Sequence, residues 1–408
     1  MLNTPLNLKL YLKKDQERRL LAGHLWAYSN EIDTQRSPLK NFQPGEWVEF
    51  ISHKNQSLGL GYINPNTLLC ARLVTRKNHE TIDRDFFQSR LEKARTLRDD
   101  LYNEPYYRLV YGESDFLPGL IIDRFNHNFV IQITTAGMEA KKELILDALT
   151  QCFPNSRFLL RNDNPFRELE GLSQESQLIE PTLDTVKHDN LVLVKENGAE
   201  FFTNLAEGQK TGWFYDHRES RALAAKYATG RDVLDLFSYL GAFAIPIAKA
   251  GAKSVIAVDA SRSAIDGIHS NATHNGVSDR VTAICADVFE YLSEAQNNPE
   301  TARFDLIILD PPALIKRKKD HPQGLRAYER LNQLALGLLK PGGYLFSASC
   351  SMHLSSEDLL NCLRRASLKA KRPIKILSRL GQGMDHPVHP AIPETEYLKG
   401  FWVVAGDA

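Results

Sequence analysis

The sequence predicts a multidomain chain: a small N-terminal β-barrel, a central α+β domain and a C-terminal doubly wound α/β domain. Three observations predict it. At 408 residues the chain is too long for one ordinary domain. Roughly the first 75 residues read as short strands punctuated by Pro, Gly and Asn. After Ala222, apolar strands alternate with helices, the pattern of a parallel sheet covered on both faces.

In the first region, Leu8–Leu12 alternates apolar and polar residues, and strands are expected at Gly45–Ile51, Ser57–Ile63 and Leu68–Val74. Lys14–Leu21 reads as a helix carrying Lys14, Arg18 and Arg19 on or near one face. The middle region opens with an amphipathic helix from Asp83 to about Arg98. Strands follow at Tyr107–Tyr111, Leu120–Arg124 and Phe129–Thr134, with a helix near Met138–Cys152. A further strand pair is expected at Phe158–Arg161 and Leu191–Glu196, with a linker or irregular loop between Asn162 and Asp189. In the last region, strands are expected at Val233–Phe237, Ser254–Asp259, Val281–Asp287, Phe304–Asp310 and Tyr344–Cys350, with helices between them.

Composition bounds the function. Apolar content of 43% and charged content of 25% are those of a globular protein. Lys plus Arg and Asp plus Glu balance at 50 each, so any nucleic-acid partner must be held by a local patch. Met1–Lys9 lacks a charged segment followed by an apolar core, and no apolar stretch is long enough to span a bilayer, so neither a secretory leader nor a membrane partner is expected. Five widely spaced cysteines with no CxxC pair fit a reducing cytoplasm better than a disulfide framework or a zinc site. The histidines form no ligand-spaced set with carboxylates, and no metal is expected.

Open parallel sheets bind ligands at the carboxyl ends of their strands. Four such ends here are polar: Asp235-Leu-Phe-Ser-Tyr-Leu-Gly241, Val258-Asp-Ala-Ser261, Ala286-Asp-Val-Phe289 and Asp310-Pro-Pro312. Asp259, followed by Ala260 and Ser261, is placed to accept from a ribose diol. Asp287 can receive an adenine amino group, with Val288 and Phe289 flanking the ring. Asp235, Phe237 and the Ser238–Gly241 turn would meet an amino-acid tail, whose ammonium needs a carboxylate. Gly241 stands without the remaining glycines of a dinucleotide cradle, which a cofactor lacking a pyrophosphate does not need. S-adenosylmethionine is therefore the expected cofactor. Each aspartate taken singly is more often a helix cap than a ligand, but four at successive strand ends argue for a site.

These residues also resemble a known family, the bacterial large-subunit (23S) ribosomal RNA cytosine-5 methyltransferases that carry an N-terminal PUA domain. The resemblance covers nearly the whole chain. It rests on Tyr111–Leu120, Asn197–Phe201, Gly208–Arg218, Asp235–Phe243, Asp310–Pro312, Ser349–Ser351 and Pro393–Lys399. It implies a PUA-like RNA-binding domain over 1–75, a linking domain over 76–185 and a Rossmann-like methyltransferase over 186–408. It also implies that Gln209, Lys210, Thr211, Tyr215, Asp216 and Arg218 form a flap over cofactor and target base. Leu240 and His389 depart from the family pattern, which has smaller and apolar residues there respectively.

Carbon 5 of cytosine becomes nucleophilic once a thiolate adds at carbon 6, so such chemistry needs one cysteine near the methyl group. Cys350, between Ser349 and Ser351, is that candidate; Asp310 could bind the protonated edge of the ring. The position after the prolines, where some cytosine-5 enzymes carry a second cysteine, is Ala313. The alternative is methylation of a purine or exocyclic nitrogen; such sites often carry an aromatic residue after the prolines to stack the flipped base, whereas Ala313 is not aromatic and Leu314 stacks poorly, which ranks it second. A different class, an RNA-binding protein that keeps the fold without catalysis, would be expected to have lost Cys350 or Asp259. For an RNA partner, Lys316, Arg317, Lys318 and Lys319 follow the Asp310 loop directly and could contact phosphates, as could Lys14 and Arg18. Trp26 and Tyr28 could stack on bases. A homodimer is compatible with the chain.

Overall fold

A computed structural model describes residues 8–179, 191–208, 211–298 and 303–407. Lys210 and Gln209 lie outside the described residues, as does the end of the expected 162–189 linker. Two compact units are present. The first comprises Met1–Asn190, Asn204–Trp213 and Met384–Thr395; the second comprises Leu191–Thr203, Phe214–Gly383 and Glu396–Ala408.

The first unit holds two sheets. In one, Leu8–Tyr11 pairs in parallel with Glu46–Ile51, which runs antiparallel to Ser57–Ile63; Ala71–Thr75 and then Trp26–Ala27 complete the sheet. Leu10, Val48, Phe50 and Leu73 fill its interior at 0% exposure, as the alternating pattern requires. The second sheet takes the order Glu175–Ile179, Arg157–Asn162, Asn128–Ile133, Leu120–Phe125, Tyr106–Tyr111. Helices Arg84–Leu101 and Lys142–Cys152 supply Phe87, Leu91, Ile145 and Leu149 to the core they share with it.

The strand pairing and the 162–189 interval differ from the sequence reading. Arg157–Asn162 pairs with Asn128–Ile133 and with Glu175–Ile179, not with Leu191–Glu196. Leu191–Glu196 and Ala199–Asn204 instead form their own two-stranded sheet. The reason is local: Asn197 and Gly198 both take positive φ (52° and 73°), the backbone of a tight two-residue hairpin. The 162–189 interval is also not structureless, since it contains the helix Phe166–Leu169 and the strand Glu175–Ile179.

The second unit is built on seven strands, β1 Asp232–Leu236, β2 Ser254–Asp259, β3 Val281–Cys285, β4 Phe304–Leu309, β5 Leu339–Ser349, β6 Ile374–Leu380 and β7 Lys399–Ala405. Their order is β3-β2-β1-β4-β5-β7-β6. The first five run parallel, as the continuous apolar runs predict. The sheet is mixed rather than wholly parallel, because β7 is antiparallel to both β5 and β6. Neither β6 nor β7 was expected; β6, an edge strand with charged and apolar residues intermixed, carries little periodicity to read. The order reverses between β1 and β4, which places the switch point of the sheet at the ends of those two strands.

Candidate active site

Asp235 sits inside β1, at 1% exposure, and begins the site. Its Oδ2 accepts from the Ser238 hydroxyl and from the Ala244 N–H at 3.1 Å. Its Oδ1 is buried with no hydrogen-bond partner among the described residues. Burial pushes this carboxyl up to about 7, with the charges of Asp310 and Asp259 adding to the rise. A buried carboxylate oxygen with no donor is the group an ammonium would satisfy.

The turn after β1 is unusually constrained. Phe237, Tyr239 and Gly241 all adopt positive φ (61°, 53° and 80°), and for two aromatic residues that backbone is costly. Neighbouring strand ends hold it there. Ser238 N–H donates to Val258 O at 3.1 Å, and Tyr239 N–H donates to Asp259 Oδ2 at 2.9 Å. Asp259 Oδ1 takes Ser261 N–H at 2.9 Å, and Ser261 caps helix Arg262–His274. Leu240 fits because Gly267 faces it: a Cβ there would lie 2.5 Å from Leu240 Cδ2.

Asp287 both caps and presents. Its Oδ1 accepts from Phe289 N–H and Glu290 N–H, while the residue stays exposed. Val288, expected to flank an adenine, is buried at 1% in the core of the sheet, because the first helical position turns its side chain inward. Half-buried Phe289 is the remaining apolar edge there. Ala260 is exposed beside Asp259.

Asp310 follows β4, and β4 pairs with β5 through Leu309 and Ser347, so Asp310 and Cys350 leave the sheet at the same end. Asp310 Oδ2 lies 3.1 Å from His217 Nε2. Burial disfavours a charged His217 imidazole, but the adjacent Asp310 carboxylate outweighs burial and the pKa is raised. Cys350 is half-exposed on a turn that is fastened from several sides. The Tyr328 hydroxyl bridges Ser349 Oγ at 2.7 Å and Ser351 Oγ at 2.9 Å. Ser351 Oγ also accepts from Ile315 N–H at 3.3 Å, tying this turn to the loop that begins at Asp310. Lys399 Nζ donates to Ser351 O and Tyr397 O, each at 2.8 Å, which puts an ammonium beside the turn. Burial pushes Lys399 down, with Cys350 among the groups opposing that shift.

The other thiols differ in kind. Burial raises Cys70 to about 12 and Cys152 and Cys362 to about 11, which leaves them inert at neutral pH. Cys285 is exposed at the end of β3, where its thiol donates to Ala260 O at 3.7 Å.

Several expected residues are placed elsewhere or otherwise engaged. Tyr215, Asp216 and Arg218, expected in a flap over cofactor and base, are buried in the second unit, and Arg218 faces Glu196 at 3.5 Å. Thr211 belongs to the first unit, where its buried hydroxyl donates to Asp123. Lys14 is exposed, and Arg18 pairs with Asp15 at 2.8 Å. Lys316 to Lys319 are all exposed, with Arg317 on Asp320 at 3.1 Å. Trp26 spends its ring N–H on Glu113 at 2.9 Å. His217 and Lys399 were missed as site residues, although both lie inside motif segments already singled out, 208–218 and 393–399. No helix among the described residues is long and apolar enough to cross a membrane.

A sheet of this order, with acidic residues at adjacent parallel strand ends and a strained turn after β1, defines an S-adenosylmethionine-dependent methyltransferase. Comparison with known proteins agrees. Residues 10–76 match the PUA-like domain family and residues 184–391 match the S-adenosylmethionine-dependent methyltransferase family. The chain is 36% identical over 400 residues to ribosomal RNA large subunit methyltransferase I of Aliivibrio fischeri, covering 97% of this chain and 99% of that one. Its counterpart from Shewanella frigidimarina is also 36% identical, over 398 residues, covering 97% and 98% respectively. Among solved structures, a methyltransferase complexed with S-adenosylhomocysteine superposes with a TM-score of 0.80 at 20% identity, covering 97% of this chain and all of that one. The chain belongs to the family of S-adenosylmethionine-dependent methyltransferases with an N-terminal PUA-like domain, the family of these ribosomal RNA large subunit methyltransferase I proteins.

Proposed function

We propose that this protein methylates carbon 5 of a cytidine in 23S ribosomal RNA, with Cys350 as nucleophile and Asp310 as the residue that binds the base edge. The observation that carries this reading is the Cys350 turn: a half-exposed thiol, beside the Lys399 ammonium, on a loop bonded to the Asp310 segment. The names of the relatives, with the PUA-like domain, support a ribosomal RNA substrate.

Asp235, Phe237, Ser238, Gly241, Asp259, Ala260, Ser261 and Asp287 would hold the cofactor, and the orphaned Asp235 oxygen fits its ammonium. When bound, the cofactor supplies an electrophilic methyl group. Lys399 favours the Cys350 thiolate by its charge. The Cys350 sulfur adds to carbon 6 of cytosine, forming a carbon–sulfur bond and shifting the ring's electron pair to carbon 5, which becomes the nucleophile. Asp310, held by His217, accepts a hydrogen bond from the protonated edge of the ring and stabilises that shift. Loss of the carbon-5 proton to a base then returns the electron pair and expels the Cys350 thiolate.

The test is incubation of the wild type and Cys350→Ala with labelled S-adenosylmethionine and unmodified ribosomal RNA, followed by nucleoside mass spectrometry. The expected outcome is 5-methylcytidine from the wild type and at least a 1000-fold slower rate from the variant (on the order of the loss of a covalent nucleophile). A methylated purine, or a fully active variant, overturns the reading.

A further inference from the structure

A cavity of about 720 Å³ in the first unit plays no part in the chemistry above. It lies between the end of strand Ala71–Thr75, helix Arg84–Leu101 and the turn Gly112–Asp115 with Phe116. Phe116 is 51% exposed on its wall and takes left-handed backbone angles, φ 57° and ψ 28°. A benzyl side chain on that backbone is a steric outlier, because its Cβ crowds the following carbonyl.

The surroundings enforce the conformation. Phe116 N–H donates to Glu113 O at 3.0 Å, and Phe116 O accepts from the Arg90 guanidinium. The other arm of Arg90 donates to Val74 O at 2.9 Å, so one side chain splints the turn to the strand. Both partners of Arg90 are neutral carbonyls. Burial pushes this guanidinium down to about 10, opposed by the charge of Glu80. The acids around the cavity are already engaged. Asp115 receives both arms of Arg98 at 2.6 and 2.8 Å, Asp83 caps the helix, Asp85 takes Arg84, and Glu80 takes Thr75. Lys93, one helical turn beyond Arg90, is exposed and has no ion-pair partner among the described residues. Ser114 Oγ, also lining the cavity, is buried without a hydrogen-bond partner among them.

An exposed aromatic face held in a strained backbone, beside two cations three residues apart that make no ion pair among the described residues, matches the aromatic base and the phosphate of one nucleotide. An apolar peptide segment would leave the cations unmet. We propose that this cavity seats an unpaired nucleotide of the RNA substrate, its base stacked on Phe116 and its phosphate toward Arg90 and Lys93. This rests on the RNA reading above and adds to it a second point of attachment, within the first unit.

The experiment measures binding of a fluorescein-labelled single-stranded RNA dodecamer to the full chain by anisotropy at fixed ionic strength. Phe116→Gly is the informative variant, because glycine suits the left-handed backbone and should leave the melting temperature at or above the wild-type value. Its dissociation constant should rise about tenfold, the usual effect of losing one base–aromatic stack. Phe116→Trp should bind at least as tightly as the wild type. Lys93→Gln should lower the slope of log affinity against log salt by about 0.7, one phosphate's worth on a single strand. Wild-type affinity in Phe116→Gly, or weakened binding in Phe116→Trp, overturns the proposal. If the wild type binds and methylates RNA while Phe116→Gly binds equally well, only this proposal falls. If the wild type neither binds nor methylates RNA, the RNA reading falls with it.

Discussion

Asp235 shows how one buried atom can make cofactor binding depend on pH. Its folded-state pKa of about 7 lies above the ordinary carboxyl value of about 3.9. Ionising it in the folded protein is therefore uphill, and its charge costs stability increasingly as pH rises from about 4 to about 7. A cation on its orphaned Oδ1 reverses that cost, and binding of the cofactor's ammonium should drive off the Asp235 proton. Affinity for S-adenosylhomocysteine, measured by calorimetry between pH 5.5 and 8.5, should climb by up to about tenfold per unit below pH 7 and level off above it. Asp235→Asn should bind weakly and without that dependence. A flat wild-type profile would remove the ammonium pairing. The polar strand ends made the positions of Asp235, Asp259, Asp287 and Asp310 as candidates legible from sequence alone. His217 and Lys399 were not, because each joins the candidate site only through a contact about 50 or more residues away in the chain, with Asp310 for one and Ser351 for the other. Composition and periodicity carry no signal for such pairings.

At the scale of elements, the parallel core of the second unit was readable because each of its central strands is buried on both faces and so appears as an apolar run. The late strands were not. In β6, Ile376 and Leu377 stay 36% and 52% exposed, so burial imposes no alternation there. The Asn197-Gly198 turn is visible as a motif, and its local hairpin outranks the distant pairing with Phe158–Arg161 that the apolar run of Leu191–Glu196 suggests. Asp287 links element to site. It caps helix Val288–Asn297 through two N–H groups, and the same residue is a candidate for the adenine amino group. The two roles separate by substitution. Asp287→Asn preserves a capping oxygen and should leave stability within a few tenths of a kcal/mol. Asp287→Ala should cost about 1 kcal/mol, a drop of about 2–4 °C in Tm by calorimetry. If Asp287 serves only as a cap, S-adenosylhomocysteine affinity in the Ala variant will track the small loss of stability; a tenfold or larger loss of affinity assigns it to the cofactor as well.

For the whole molecule, the division of the chain was the hardest feature to read. Residues 204–213 and 384–395 return to the first unit from within the sequence of the second, and their content resembles that of neighbouring loops. What holds Met384–Thr395 in the first unit is specific and long-range: Asp385 accepts from Arg108 N–H at 2.8 Å, and Tyr111 donates to Thr395 O at 2.8 Å. With net charge balanced overall, association with a polyanion must come from local positive potential. Lys316, Lys318 and Lys319 are exposed beyond the Asp310 loop, whereas Arg317 is held by Asp320. If these three lysines meet phosphates, replacing them together with glutamine should reduce the slope of log affinity against log salt by about 2, at about 0.7 per contact on single-stranded RNA. S-adenosylhomocysteine binding should be unchanged, because none of the three adjoins Asp235 or Asp259 in sequence or hydrogen bonding. An anisotropy titration over a fourfold range of salt decides it. An unchanged slope would move the RNA path away from this loop and leave the charge run as solvated surface, whatever the Cys350 chemistry proves to be.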